Sequence, residues 1–383
     1  MSEIVVVGGG LAGGAAACGL ALGGFAAGGR AVTLLERDRA PVHKICGEFL
    51  SVEAQASLAA IGLDVAALGG HRISRLRLVR GAGVVEVGLP FEGVGVTRRT
   101  LDAALLERAE SLGVTVRRGV AVREVGFEGG LRVDLAGEAA LRPAIVVLAS
   151  GKHEVRGVRR RVGTVEDLIG FKMYFRLDAA QTAVLARHIE LYLWQDGYGG
   201  LQLVEDGVAN FTLLIERARY RAAGGTWAGL LAALRASCGV LDARLRGAVA
   251  VLDQPLTIFR VPYGFVHRPG GDDVPGLFRL GDQMAVIPSF TGDGMAIALH
   301  SAAVAVAAIL AGEPALAHHV RVRRDVRGQI ARASVLAGMA RFGFGQAALF
   351  QAARLSPALL RLAAQWTRVP PSRGPAATRI LRI

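Results

Sequence analysis

The sequence predicts an α/β fold, with a parallel sheet and its helices interrupted by an inserted antiparallel sheet and followed by C-terminal helices. Three observations carry that expectation. A glycine-rich strand–turn–helix opens the chain, a second strand and glycine turn come near residue 281, and the runs between them alternate with period two.

At 383 residues, 52% hydrophobic and 20% charged, the chain has the profile of a globular protein with room for two or three units around a sizeable core. The net charge of +13 invites a nucleic-acid reading. Only three of the 45 basic residues are lysines, however, and arginine excess beside heavy Ala, Gly and Val usage reads as compositional bias. With no nucleic-acid-binding motif beside it, nucleic acid is not an expected partner. Cys18, Cys46 and Cys238 are odd in number and far apart, so neither a disulfide framework nor a metal site is expected, and a reducing cytoplasmic setting is. Ile4 to Gly29 lacks charge and would satisfy a hydropathy window. Its glycines, and the absence of a basic stretch ahead of it, favour a buried strand and helix over a membrane span or signal peptide.

In IVVVGGGLAGGAAACGLALGG a β-branched strand runs into G-x-G-x-x-G at Gly8, Gly10 and Gly13, then a small-residue helix. Gly8 permits the tight turn, Gly10 lets backbone approach a pyrophosphate, and Gly13 lets helix pack on strand. AVTLLE follows as a second strand ending on Glu36, whose carboxylate suits a ribose diol; the GGFAAGGR loop absorbs the extra spacing. These features fit NAD and FAD equally. Further on, GLFRLGDQMAVIPSFTGDGMAIALHSA supplies a strand ending in Gly281-Asp282, then Gly292-Asp293-Gly294 opening an apolar helix. An acid at a strand end suits sugar-like hydroxyls, and a glycine-flanked helix N-terminus suits a developing anion. A dinucleotide with a ribityl chain and an electron-accepting ring needs both.

Together these motifs resemble the flavoproteins of the aromatic-hydroxylase fold, which include monooxygenases, geranylgeranyl reductases and halogenases. The likeness runs from Met1 to about Ile330 and implies a Rossmann-like, glutathione-reductase-type FAD domain. It implies FAD contacts from Leu11 and Ala12 in the first turn, from Arg37 beside Glu36, and from Asp282 on the ribityl chain. Arg98, four residues before Asp102 in VTRRTLDAALLERA, would reach the pyrophosphate, and Val122 would meet the adenine. Gly292, Gly294 and Met295 would lie beside the ring, with Pro288 in the same loop. The family's middle Asp-Gly pair is here Ser150-Gly151 in VVLASGKHEVRG, which puts any nicotinamide role of that aspartate in doubt. No second G-x-G-x-x-G follows a strand, so NADPH or NADH is expected as a transient electron donor, or a carrier in its place.

PVHKICGEFLS follows the second strand, and by the resemblance Lys44, Cys46, Gly47 and Glu48 become cofactor neighbours. Cys46 is read as pocket packing or as a catalytic contributor; with Pro288 and Gly292 it completes the candidate catalytic set. Lys44 would lower the thiol pKa and Glu48 oppose it. Lys44, Lys152 and Lys172 all lie in motif-like segments, as if a compact amine fits there and a guanidinium does not.

ISRLRLVRG and GVVEVGLPF read as a hairpin, and an Asp206-Gly207 turn joins LQLVE to VANFTLLI as another. Helices are expected from about Thr226 to Arg246. GFKMYFRL alternates Phe171, Met173 and Phe175, so Phe171, Met173, Tyr192, Trp194, Tyr198 and Phe290 are candidate substrate walls. The expected division is a cofactor unit at 1–70, 97–160 and 270–330, an inserted sheet at 71–96 and 161–269, and a helical segment at 331–383. That last segment is apolar and basic, interrupted by Pro357 and ended by Pro370-Pro371, and a peripheral membrane contact is one reading of it.

The resemblance implies hydroxylation of an aromatic or lipophilic small molecule through a flavin C4a-hydroperoxide, with His300 a weak candidate for a polar group near the substrate. Alkene reduction of the geranylgeranyl-reductase kind is the alternative. Hydroxylation ranks ahead of alkene reduction because Tyr198 leads GYGGLQLV without the reductase Y-x-W-x-F-P; halogenation ranks lower because Trp194 lacks the halogenase W-x-W-x-I-P, and non-catalytic FAD or prenyl binding also ranks lower. An NAD-using dehydrogenase survives only if the Gly281-Asp282 motif is coincidence. Monomer and homodimer are both compatible with the sequence.

Overall fold

The structure, a computed structural model, describes residues 3–25, 31–160, 167–271 and 273–369. The GGFAAGGR loop beyond residue 25 and the Pro370-Pro371 end of the tail lie outside them.

β-branched Ile4–Val7 is the middle strand of a five-stranded parallel sheet. Val32–Glu36 and then Thr115–Arg118 lie on one side, Ile145–Leu148 and then Leu277–Arg279 on the other. Ile4 sits opposite Val32 and Ile145 at once, and Val5 and Val6 are fully buried. Covered on both faces, these strands have no polar side to show water, which is why they read as continuous apolar runs. Helix Leu11–Leu22 packs on helix Gly294–Leu310 through small residues: a Cβ on Gly19 would meet Val306 at 3.0 Å.

Gly13 has no room at all, since a Cβ there would lie 1.9 Å from the Gly8 carbonyl oxygen. Gly13→Ala must therefore push the helix off the strand, and we expect about 1–3 kcal/mol of lost stability in denaturant melts. An unchanged melt would mean the turn is looser than this.

The second sheet is mostly antiparallel. Its order is Val249–Ala250, Leu168–Arg176, Ala209–Glu216, Gly197–Leu203, His188–Trp194, His71–Arg80, Gly83–Gly95 and Phe49–Leu50, with Leu256–Phe259 also pairing to Leu168–Arg176. His188–Trp194 runs parallel to His71–Arg80. Asp206 and Gly207 both take positive φ (59° and 65°), the two-residue hairpin geometry that their identities predict. Helices Trp227–Ser237 and Gly239–Arg244 cover the face of this sheet away from the parallel one, the first capped by Thr226 Oγ1, which accepts the Gly229 N–H at 3.1 Å.

Helix Ala315–Arg341 runs unbroken through residue 330, where a boundary was expected. Its buried stripe Val322, Val326, Ile330, Ala333 and Ala337 continues across that point with no proline to stop it. The same helix closes an exposed edge. Leu277–Arg279 is an edge strand, and consecutive histidines take both backbone groups of Arg279. His319 Nε2 accepts the Arg279 N–H at 3.1 Å, and His318 Nε2 donates to the Arg279 carbonyl at 2.9 Å. Two imidazoles thus stand in for a missing strand.

Candidate active site

A cavity of about 860 Å³ lies between the two sheets and reaches from the first glycine turn to the second. It is lined by Gly8, Gly10, Leu11 and Ala12, by Glu36 and Arg37, by Lys44, Cys46 and Gly47, and by Arg98, Val122, Ser150 and Gly151. Gly281, Asp282, Gly292, Gly294 and Met295 line its other end. Gly13 stands one step behind, against Gly8. Pro288 does not reach the cavity; it starts the short 3₁₀ turn Ser289–Thr291, which Gly292 ends at φ 73°.

Glu36 is fixed by backbone donors, with Oε2 accepting the Gly9 N–H at 2.6 Å and Oε1 the Asp38 N–H at 3.0 Å. Each oxygen keeps a lone pair for a sugar hydroxyl. Opposite Gly10 stand two cations: a Cβ there would lie 3.1 Å from Arg98 Nη2 and 3.6 Å from Lys44 Nζ. Both are held by Asp102, which accepts Arg98 through two bonds of 2.8 and 3.0 Å and Lys44 at 2.8 Å. Two cations, sharing the Asp102 carboxylate, are thus fixed beside a glycine turn and a helix N-terminus, a setting that favours an anion. Lys152 donates to Asp282 at 3.1 Å, and Gln283 Nε2 donates to the carbonyls of Gly151 and His153 at 2.8 and 2.9 Å. Those bonds tie the middle turn to the Gly281-Asp282 turn.

Beneath the floor lies a buried ion pair. Glu48 and Lys172 are both fully buried, and Lys172 Nζ is 2.6 Å from Glu48 Oε1. The carboxylate also accepts the Tyr174 hydroxyl at 2.9 and 3.0 Å to its two oxygens, and the Arg98 N–H at 2.7 Å. Burial pushes the Glu48 carboxyl up and the Lys172 amine down, each toward its neutral form, so the pair depends on these donors. Glu48 itself takes φ 59°, the left-handed region, which costs a non-glycine residue about 1–3 kcal/mol. That strain turns its side chain inward. Lys44 and Glu48 are thus paired with Asp102 and Lys172, and Cys46 Sγ accepts the Glu48 N–H at 3.4 Å. All three lysines of the chain pair with carboxylates at this cavity or under it.

The network surfaces at a residue the sequence reading passed over. His43 lines the cavity, with Nδ1 3.1 Å from the Tyr174 hydroxyl, and burial lowers its pKa. His300 corrects the expectation made of it: it is buried in its helix with Nε2 3.2 Å from Asp325 and does not line the cavity.

The substrate wall needs a larger correction. Met173, Tyr192 and Trp194 lie on the opposite face of the second sheet, packed with Leu230 and Leu234 of the covering helix. Phe171 borders the cavity along its strand, but its ring packs 5.1 Å from Tyr220 and 5.7 Å from Trp227. The alternation was right and its phase inverted, so Gly170, Lys172 and Tyr174 are the residues turned the other way. Tyr198 and Phe290 do line the cavity, ring centroids 5.1 Å apart and nearly perpendicular. Tyr263, missed because it sits in an irregular loop, joins them, and the Tyr198 hydroxyl is 3.4 Å from Ser289 Oγ. Burial raises both phenols above their ordinary range. Thr291 Oγ1 and Gln202 Oε1, on cavity-lining residues, are buried without a partner among the described residues.

This architecture recurs in solved structures of flavoproteins. PqsL of P. aeruginosa, in complex with 2-aminobenzoylacetate, superposes with TM-score 0.72 over 91% of this chain and 99% of its own at 19% identity. The fold is theirs. CmlS, a flavin-dependent halogenase, matches with TM-score 0.72 at 19% identity over 99% of this chain and 69% of its own. A triple mutant of the flavin-dependent brominase Bmp2 gives 0.73 at 17% identity, covering 100% and 98%. No family model and no curated protein sequence matches the chain.

Proposed function

We propose that the chain is an FAD-dependent monooxygenase that hydroxylates an aromatic or lipophilic small molecule, with NADPH or NADH as the electron donor. One observation carries this reading. A single cavity is continuous from the Gly8–Gly13 turn, past Asp282, to apolar space beside Tyr198 and Phe290. A dinucleotide and an apolar substrate would therefore share one continuous room. PqsL, described as a probable FAD-dependent monooxygenase and solved with an aminobenzoylacetate, supports both halves of the reading.

The residues present fit FAD. Gly10 leaves open the space that a Cβ would fill in front of Arg98 and Lys44, whose two charges match a diphosphate. Glu36 suits the adenosine ribose and Asp282 the ribityl hydroxyls, and the left-handed turn at Gly292 presents the N-terminus of helix Gly294–Leu310. FAD would supply the activation of oxygen. The chain's own work is to bind, orient and keep water out. Tyr198, Tyr263 and Ser289 offer a polar handle for a substrate hydroxyl or amine, and the aliphatic wall, including Leu191 and Leu214, excludes solvent. Cys46 on the cavity wall favours a second reading, alkene reduction, in which its thiol is the positioned proton donor.

Anaerobic reduction of the FAD-loaded protein with NADPH, then mixing with ¹⁸O₂ and aromatic candidates with and without bromide, tests the proposal. We expect one labelled oxygen in the product, independent of halide. A halogenated product, or a saturated one formed without oxygen, replaces this reading with the corresponding alternative.

A further inference from the structure

The two helices that end the described chain, Gly343–Leu355 and Ala358–Trp366, have an apolar surface that no other element among the described residues covers. Phe344 is 89% exposed, Leu355 83% and Trp366 59%, with Phe342, Leu359 and Leu362 exposed beside them. Scattered surface apolar residues need no explanation, but six large ones on one short segment do. On the last helix Leu359, Leu362 and Trp366 recur at helical spacing on the outer side. Leu360, Ala363 and Ala364 line the cavity from its inner side. The wall between cavity and exterior is here one helix thick and apolar on both faces.

The charge pattern says what meets the outer face. From Val326 to Ile383 the sequence holds nine arginines and no acidic residue. Arg354 and Arg361 are exposed on these two helices, with Arg361 anchored through Nε to the Gly88 carbonyl at 3.1 Å. A second copy docking through the same face about a two-fold axis would set arginines against arginines with no carboxylate in the segment to pair them. An anionic lipid surface satisfies both features: headgroup phosphates take the guanidiniums, and the acyl boundary takes Phe344, Leu355 and Trp366.

We propose that the outer face of helices Gly343–Leu355 and Ala358–Trp366 is a docking surface for an anionic lipid bilayer, which sets the thin wall of the cavity against the membrane. The inference stands whatever reaction the cavity performs.

The full-length protein, mixed with sedimenting vesicles of phosphatidylcholine with or without one third phosphatidylglycerol, tests it. We expect binding to the anionic vesicles at least tenfold tighter than to the neutral ones, a blue shift of Trp366 emission, and loss of most binding at high salt. The variant Leu355→Ser/Leu359→Ser/Trp366→Ser changes only exposed side chains, so it should keep its melt and lose at least tenfold in binding. Arg354→Glu/Arg361→Glu should lose the preference for anionic vesicles. Absence of sedimentation with anionic vesicles overturns the proposal, as does equal binding by the triple serine variant. So does a concentration-dependent dimer that the same variant abolishes without any lipid binding.

Discussion

Lys172→Met will destabilise the protein by about 3–5 kcal/mol, the usual cost of leaving one member of a buried ion pair alone. Glu48 is fully buried, and its remaining donors, the Tyr174 hydroxyl and the Arg98 N–H, are too few to hold a charge without a cation. The carboxyl must then take up a proton, and its bond to the Arg98 N–H at the start of helix Arg98–Ser111 weakens with it. Because that helix carries Arg98 toward Gly10, lost stability should come with weaker FAD retention. Adding Glu48→Gln removes the orphaned charge, so the double variant should recover most of the loss in denaturant titrations. If the double variant is no better than Lys172→Met alone, the pair is not the unit described here.

Acid will unfold the protein well above the pH at which its carboxylates alone would. His318 and His319 are buried and neutral, their pKa values lowered by burial to about 4 and about 3. In the unfolded chain each titrates near 6.5, so the stability gained by keeping them neutral is complete above that pH and drains away below it. Each pH unit costs up to about 1.4 kcal/mol per histidine, or roughly 5 kcal/mol for the two between pH 6.5 and 4.5. That is a large share of the 5–15 kcal/mol typical of a domain. The edge strand is what comes loose, since a protonated His319 can no longer accept the Arg279 N–H. Melts at pH 6.5 and 4.5 measure the slope. His319→Asn, which keeps a hydrogen-bonding side chain but does not titrate, should flatten it by about one proton, and an unaltered slope would remove these histidines from the account.

The parallel half of this fold was legible because its signals are backbone signals. A glycine at 8, 10 or 13 can be read without knowing what surrounds it, and Glu36 and Asp282 follow from strand ends. Side-chain facing in the second sheet was not legible. Leu168–Arg176 is buried on both faces, so alternation declares two faces and leaves open which one meets the cavity. The larger aromatic residues were assigned to the cavity, yet they serve the core under the covering helices, and a buried lysine marks the other face. His43 escaped notice inside a stretch otherwise read closely, because its partner Tyr174 is 131 positions away. Tyr263 carried no periodic signal at all.

Arg368 ends the last helix by reaching back to the second glycine turn: Nη1 is 2.6 Å from Asp293, and Nη2 donates to the Thr291 carbonyl at 3.0 Å. Asp293 is fully buried, its pKa pushed up by burial to about 7, and Gln329 is its other partner at 2.8 Å. One guanidinium thus belongs both to the surface helices and to the proposed seat of the flavin ring. With both proposed ligands bound, this contact is the route by which the two places would couple. Any factor by which lipid tightens or loosens the hold on FAD must reappear, unchanged, as the factor by which FAD alters the hold on lipid.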